Sequence, residues 1–471
     1  MAREAGAAAV LAEGPPSEEH RGFPWITIPD TKRALGPVAS LIFGNPTSKF
    51  TLVGITGTNG KTTLTYLLEA ITKAAGGFPG VVGTISYRWG DKEHEASRTT
   101  PEASDLQALF AEMAQAGVTH AFIEASSHGL HRGRLEGCQF DVGAFTNLTQ
   151  DHLDYHGTVE DYYQAKKILF SRFLPESSKQ APAAVVNVDD EFGRRLMSEI
   201  ENIPVVSYGT SLDADIHPVD IALSPESISG TMAVPRGVIR LSSHLTGSFN
   251  LSNILAAIAV ADRLNMPHEA IAEGIASLEV APGRLERVPS PIASIFVDYA
   301  HTPNALKNVL QALQIVRRGR IITVMGCGGD RDKTKRPLMG LEAAAGSDFV
   351  VVTSDNPRSE EPMSIIRQVE EGVLGHGFTP FPEALNGRPL QSRAYRVISD
   401  RREAIAWAVK HLGVDDILLV AGKGHETYQE VKGVRYAFDD REVIREALAR
   451  HAKQAAHAPA CCVNDESSGR D

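Results

Sequence analysis

Residues 54–63 read GITGTNGKTT. Gly57 and Gly60 allow backbone N–H groups to turn inward around phosphate oxygens. Lys61 adds an ammonium, Thr62 a hydroxyl suited to Mg²⁺, and the helix that follows points its positive end at the anion. Gly57, Thr58, Asn59, Gly60, Lys61, Thr62 and Thr63 are therefore candidate nucleotide-binding residues. The spacing departs from the generic phosphate-loop pattern, which wants a glycine where Ile55 stands. A Gly-rich strand-to-helix turn without a ligand is the competing reading. The ordered succession of strand, loop, Lys-Thr-Thr and helix weighs against it. ATP binding alone would not separate a ligase from a transporter ATPase or a kinase.

Three further groups of residues carry chemistry. Glu124 ends an apolar run, and a carboxylate at a strand's C-terminal end beside the phosphate loop is well placed for Mg²⁺. The run TNLTQDHLDYHGT, 146–158, crowds Asn147, Asp151, His152, Asp154 and His156 just after a strand. Such imidazoles and carboxylates suit a metal or a phosphate, or simply a capped polar loop. Lys166 follows in YYQAKKILF, and on its own residues it reads as a surface cation. Far along the chain, Asp355, Asn356, Pro357 and Arg358 spell DNPR. A turn explains the first three, but not Arg358. A guanidinium there suits a substrate with an additional carboxylate, because it offers two parallel hydrogen bonds.

The elements that must hold these residues alternate strand with helix, the pattern of an α/β fold. Strands are expected at 51–56, 120–125, 142–146 and 183–188, with helices at 61–74 and 250–264. Residues 215–245 suggest a small β excursion. A second series begins near Ser294, with strands at 295–297, 321–325, 349–353 and 417–421 and a helix at 304–316. A boundary near Ala281–Pro282 is expected, as is a disordered tail over 454–471.

Composition narrows the class. A chain of 471 residues accommodates about three domains. Its net charge of −11 argues against general nucleic-acid binding. Four cysteines without zinc-like spacing fit a reduced compartment, and no run reaches membrane-spanning length or resembles a signal peptide. The expectation is a cytoplasmic monomer acting on small molecules, with neither nucleic acid nor membrane as partner.

Taken together and in order, GITGTNGKTT, TTPE (99–102), EASSHGL, TNLTQDHLDYHGT, NVDD (187–190), GSFNLSN (247–253), GRLE (283–286) and DYAHTP (298–303) resemble the Mur ligases across residues 25–450. The resemblance implies a partial N-terminal α/β domain that grips the UDP substrate (1–48). It also implies a central P-loop-type domain with a mostly parallel sheet (49–281) and a C-terminal Rossmann-like domain that binds the amino acid (282–453). It implies ATP and two Mg²⁺ sites, with Thr62, Glu124, His152 and Lys166 as metal ligands and Lys166 carrying a CO₂-derived carbamate. Lys61, Lys166 and His152 would be the catalytic set. Asn147, Asn250 and Asn253 would lie near the nucleotide, with Arg284 and Asp298 reaching it from the C-terminal domain. Thr99, Thr100, Ser126 and Arg134 would contact the UDP-muramoyl substrate.

DNPR, GGDRDKTKRPLMG (328–340) and AGKGHETYQ (421–429) are similar to the members that add meso-diaminopimelate to UDP-N-acetylmuramoyl-L-alanyl-D-glutamate. By that likeness Arg331 joins Arg358 at the acceptor, with Asp355, Asn356, Gly422 and Glu426 around its zwitterionic end. His425 beside them reads as a polar loop residue. The phosphate loop comes early, at residue 57, so the resemblance implies a shortened N-terminal domain, weaker grip on the UDP substrate and uncovered apolar surface. The competing functions are a lysine-adding or folylpolyglutamate-type ligase of the same superfamily, and a nucleotide-binding scaffold without catalysis.

Overall fold

The structure, a computed structural model, describes residues 6–20, 22–224, 227–382, 390 and 392–456. The chain divides into two compact units, Met1–Ala281 and Pro282–Asp471. Residues 1–48 fall within the first of them.

The first unit is built on an eight-stranded sheet. Its spatial order is Val205–Tyr208, Ala183–Asn187, Val142–Phe145, Thr51–Thr56, His120–Glu124, Pro79–Val82, Ser86–Trp89 and Lys92–Glu95. All neighbours run parallel except the last two pairs, which are antiparallel. Thr51–Thr56 lies at the centre and is buried on both faces, as its unbroken TLVGIT run demands of a strand covered by helices on either side. Its helix, Lys61–Ala74, buries Leu64, Leu67, Leu68 and Ile71 at helical spacing. Each contributes about 1.5–3 kcal/mol over exposure. They meet the helices Ser248–Arg263 and His268–Ser277 in one core. Ser248–Arg263 is buried almost all round, which explains its run of small and branched apolar residues. The opposite face is covered by Leu106, Phe110 and Met113 of Ala103–Gln115 and by Tyr162, Tyr163 and Leu169. The outer strand Lys92–Glu95, KEHE, is exposed throughout, and its charges blunt the sheet edge.

The expected β excursion is a three-stranded antiparallel sheet, His217–Leu223, Ile228–Val234 and Gly237–Ser243. At the N-terminal end, Val10–Ala12 and Trp25–Thr27 pair in parallel. Asp30 caps the helix Thr31–Ile42, which packs on Ala103–Gln115. Leu11, Ile26, Leu35, Leu41, Ile42 and Phe43 in this region are exposed.

The second unit has a seven-stranded sheet in the order Glu286–Val288, Ser294–Asp298, Ile417–Ala421, Ile321–Met325, Phe349–Val352, Ala394–Val397 and Thr379–Pro380. Only Glu286–Val288 is antiparallel. The helices Arg401–Lys410 and Asp440–Ala456 are joined by Arg401 and Asp440, both fully buried and 2.7 Å apart. Arg401 also donates to the carbonyl of Ala421 at 3.0 Å. The last helix reaches Ala456, and residues 457–471 of the expected tail lie outside the described residues. Among the described residues no helix is long and apolar enough to cross a membrane.

Most expected elements occur within one or two residues of the expected bounds, and Thr51–Thr56, Lys61–Ala74, Ile321–Met325 and Ile417–Ala421 match them. Both sheets have strands whose C-terminal ends are in register. Ile55 pairs with Glu124 and Thr56 with Phe145 in the first unit. Met325 pairs with both Ala421 and Val352, and Asp298 with Ala421, in the second. Loops leaving those ends therefore collect at one sheet edge, where open α/β sheets bind ligands.

Candidate active site

In the first unit that edge holds the phosphate loop. Gly57 has φ +143°, and a Cβ there would lie 1.9 Å from Thr146 Oγ1. Gly60 has φ +88°, and its Cβ would meet Asn253 Oδ1 at 2.3 Å. Only glycine satisfies both the backbone and the space at these two positions. The Asn147 carbonyl accepts from Thr58 N at 2.8 Å, and its side-chain Oδ1 from Asn59 N at 3.0 Å. Asn253 is oriented by donating to Asn250 Oδ1 at 3.0 Å, and Asn250 in turn donates to Thr246 O at 2.8 Å. Asn147, Asn250 and Asn253 are thus gathered around the loop. Thr62 and Thr63 are buried in the first helical turn.

Lys61 donates to the carbonyls of Gly57 at 2.9 Å and Thr58 at 2.8 Å. Lys166 donates to the same Gly57 carbonyl at 2.7 Å. Lys166 is 1% exposed, which overturns its reading as a surface cation. The helix Val159–Ile168 turns it inward over Tyr162, whose ring centre is 4.3 Å from its Nζ. Burial, and then the charge of Lys61, push its pKa well below the ordinary lysine value.

Glu124 is buried and held on both oxygens. Oε1 accepts from Thr62 Oγ1 and Thr84 N, each at 3.0 Å, and Oε2 accepts from Thr84 Oγ1 at 2.8 Å. Thr84 Oγ1 also lies 3.1 Å from Thr99 Oγ1. The single Thr84 proton goes to the carboxylate, so Thr99 is the donor to Thr84. Thr100 Oγ1 donates to Glu124 O at 2.7 Å and accepts from Ser126 N at 3.1 Å. Ser126 caps the helix Ser127–His131. Arg134 donates to Thr100 O at 3.1 Å and pairs with Glu102 at 2.9 Å. The four residues expected at the UDP-muramoyl substrate are therefore linked, directly or through one intervening residue, to the strand end that bears Glu124.

His152 sits in left-handed backbone with φ +54°, its ring 5.9 Å from that of Tyr162 and 5.0 Å from that of His128. Burial, with Lys61 and Lys166 adding to it against Asp151, lowers its pKa and favours the neutral imidazole that ligates metal. His156 instead meets Ser127 Oγ at 3.0 Å. Among the described residues no three His, Cys, Asp or Glu side chains are placed to hold a metal ion. The hydroxyl–carboxylate pair Thr62–Glu124 still suits Mg²⁺, which takes one or two carboxylates and completes its shell with water and substrate phosphates.

In the second unit, Asp298 accepts from Leu285 N at 2.5 Å and Ala300 N at 2.7 Å. Burial raises its carboxyl to about 6, against the opposing effects of nearby Arg284 and these two N–H groups. Arg284 lies 4.9 Å over the Tyr299 ring, and His425 stacks 5.0 Å from the same ring. Burial brings the His425 pKa to about 4.

Arg358 has φ +52° and donates to Gly329 O at 2.7 Å. A Cβ on Gly328 would lie 3.1 Å from Arg358 Nη1 and 3.9 Å from Arg331 Cγ, so the two arginines flank one glycine. Pro357 closes on Gly329, whose Cβ would meet its carbonyl at 1.9 Å. Asn356 donates to Glu426 Oε2 at 2.8 Å. A Cβ on Gly422 would lie 3.2 Å from Asp355 Oδ2. Joining these groups is Lys423, fully buried, with Nζ 3.3 Å from Asp355 Oδ1, 2.8 Å from Asn356 Oδ1 and 3.2 Å from Glu426 Oε2.

Thr84 and Lys423 were not among the expected site residues. Thr84 lies in VGTIS, outside every motif. Lys423 is inside AGKGHETYQ, and its signal is a single lysine between two glycines directly after an apolar strand.

Comparison with known proteins identifies the family. Residues 55–261 match the Mur ligase middle domain, and residues 283–424 the Mur ligase, glutamate ligase domain. The UDP-N-acetylmuramoyl-L-alanyl-D-glutamate–2,6-diaminopimelate ligase of Geobacter metallireducens is 45% identical over 95% of this chain and 87% of its own. The protein of that name from Bacillus licheniformis is 41% identical over 95% and 88%. A solved structure of a ligase of the same name superposes with a TM-score of 0.68 at 33% identity, covering 96% of this chain and 88% of that one. Folylpolyglutamate synthase of Mycobacterium tuberculosis, complexed with ADP, shares the fold with a TM-score of 0.66 at 18% identity, over 83% of this chain and 92% of its own. With its phosphate loop, clamped strand-end carboxylate and paired domain matches, the chain belongs to the Mur ligase family of ATP-dependent amide-bond-forming ligases.

Proposed function

We propose that this chain adds meso-diaminopimelate to UDP-N-acetylmuramoyl-L-alanyl-D-glutamate at the expense of ATP, in cytoplasmic peptidoglycan precursor synthesis. The observation that supports the specificity is that the Arg358 guanidinium and the stem of Arg331 both lie beside Gly328, in the same unit as the Asp355–Asn356–Glu426 cluster. A zwitterionic amino-acid end needs both acids and cations, and a second carboxylate at the far end needs a guanidinium. L-Lysine has no such carboxylate.

The chemistry follows from the parts. The D-glutamate side-chain carboxylate attacks the γ-phosphorus of ATP in line. A C–O–P linkage forms, the bond to the ADP oxygen breaks, and an acyl phosphate results. Lys61 and the N-terminal end of Lys61–Ala74 offset the charge gathered there. Thr62, Glu124 and His152 would hold Mg²⁺, which neutralises phosphate charge when bound. An uncharged amine of the acceptor then attacks the acyl carbon, and inorganic phosphate leaves as the amide forms.

Lys166 fits the carbamate reading, because a neutral amine is the form that adds to CO₂, releasing a proton and leaving an anion. Its burial beside the Gly57 carbonyl supplies that neutral amine.

Phosphate release with the UDP-muramoyl dipeptide and ATP tests the proposal. Release is expected with meso-diaminopimelate and not with L-lysine. Equal release with both amino acids, or release only with L-lysine, would refute it.

A further inference from the structure

Lys423 has no assigned part in the site, yet it is a fully buried charge touching three residues of it. An ammonium has three protons, and here each has an acceptor: Asp355 Oδ1, Asn356 Oδ1 and Glu426 Oε2. None remains for a substrate, so Lys423 acts through its partners. Asn356 Oδ1 also accepts from Glu430 N at 3.0 Å, and Asn356 Nδ2 donates to Glu426 Oε2. Two donors on one amide atom fix it as the oxygen, and the Asn356 side chain then has one possible orientation. The lysine engages one oxygen of each carboxylate. Among the described residues Asp355 Oδ2 and Glu426 Oε1 carry no hydrogen bond.

We infer that Lys423 is the positioning residue of the acceptor site: it fixes Asn356 and presents Asp355 Oδ2 and Glu426 Oε1 as an ionised pair for the acceptor's ammonium. This rests on the proposed function insofar as the ammonium belongs to an amino-acid acceptor. The electrostatics agree with the geometry. Burial first, and then the charge of Asp355, raise the Glu426 carboxyl above its ordinary value, while Lys423 opposes them. The other charged or titratable groups within reach of Glu426 are Tyr299, Tyr428 and Arg401. Tyr299 and Tyr428 are themselves pushed up and stay neutral near pH 7, and Arg401 is committed to Asp440. Lys423 is therefore the cation in direct contact with both acids. Without it, two neighbouring acids share the cluster with no cation in direct contact, which favours protonation of Glu426 and weakens its attraction for an ammonium.

The test is calorimetric binding of meso-diaminopimelate to the full chain loaded with the UDP-dipeptide and a non-hydrolysable ATP analogue. Binding is compared from about pH 6.5 to about pH 7.5, where amino groups of the acceptor remain protonated. Lys423→Gln keeps a donor for Asn356 and removes the charge. Its acceptor Kd is expected to weaken about tenfold, the loss of one hydrogen bond to a charged group. Part of that loss is expected to return as pH rises, with the ATP-analogue Kd within about twofold of wild type. An acceptor Kd that stays within about twofold of wild type at every pH overturns the inference, and so does a uniform loss with no pH dependence, which a merely structural lysine would produce. If Lys423→Gln and Lys423→Met both fail to fold, the wild-type profile decides. A Kd constant over this range supports an ionised pair, and one that weakens toward pH 6.5 overturns it. Should wild type bind L-lysine in place of meso-diaminopimelate, the proposed acceptor fails, and the same comparison is made with L-lysine. Binding of neither overturns both.

Discussion

Lys61 and Lys166 donate to one oxygen, the carbonyl of Gly57, at 2.9 and 2.7 Å. Two ammonium groups on a single acceptor repel each other, and the buried one yields. Lys166 gives up its proton more readily than an ordinary lysine, while Lys61 heads the helix that follows the glycine-rich loop. Lys61→Ala is expected to lower kcat by at least about 10²-fold, as loss of one charge-stabilising group at a transferring phosphoryl typically does. Lys166→Ala is expected to be similarly inactive but partly restored by short carboxylic acids. Measured phosphate release decides both, and an unaffected Lys166→Ala enzyme would return that lysine to an ordinary structural role.

The clamp on Glu124 predicts a role for Thr84. Thr84→Val removes the hydroxyl from Glu124 Oε2, keeps the shape and leaves the backbone N–H in place. The Mg²⁺ concentration for half-maximal activity is expected to rise about tenfold, as loss of a group that orients a metal ligand commonly does. Thr84→Ser should restore it. A Mg²⁺ requirement equal in all three proteins would show that Thr62 and the backbone alone suffice to orient the carboxylate.

Arg358 should separate acceptor from nucleotide. Arg358→Ala is expected to raise the KM for meso-diaminopimelate about 10- to 100-fold, equivalent to losing a charged hydrogen bond. The KM for ATP should move less than about twofold, within the scatter of substitutions distant from a ligand. Steady-state kinetics in each substrate read the difference, and parallel increases would undo the assignment.

Asp298 predicts a pH dependence of stability. Its folded pKa, about 6, lies above the ordinary carboxylate value of 3.8, so the folded protein binds the extra proton between those values. Stability from this group is present at low pH and lost as pH rises through about 6. Relative to Asp298→Asn, wild type should lose about 2 kcal/mol between about pH 4 and about pH 6. Urea denaturation of both proteins across that range measures the slope. Parallel curves would place the Asp298 pKa near its ordinary value.

Local residues made the phosphate loop legible, because Gly57, Gly60, Lys61 and Thr62 act where they stand in the chain. The strand Thr51–Thr56 and its helix were legible for the same reason. From its own residues Lys166 was not, because its burial arises when Val159–Ile168 packs over a loop about a hundred residues earlier, and it has a lysine, Lys167, beside it with the same local propensity. Thr84, in the bend after Pro79–Val82, became visible only when that strand was paired beside that of Glu124, and the antiparallel edge Ser86–Trp89 and Lys92–Glu95 was likewise missed. The DNPR turn was legible as a pattern, whereas the lysine beneath it, Lys423, needed three-dimensional contacts. Differences of one residue at strand ends, as at Val142–Phe145, reflect where the ladder bonds stop.

The buried ion pair of Arg401 and Asp440 sets a practical limit on how this protein can be trimmed. Arg401 also grips the Ala421 carbonyl, one residue before Gly422 and two before Lys423. Deleting the final helix from Asp440 onward would strand a guanidinium away from water at about 3–5 kcal/mol. It would also slacken the segment that carries Lys423 and Glu426. Affinity handles and fluorescent fusions therefore belong after Ala456, and a shortened variant that loses amino-acid binding has lost an anchor rather than a binding group.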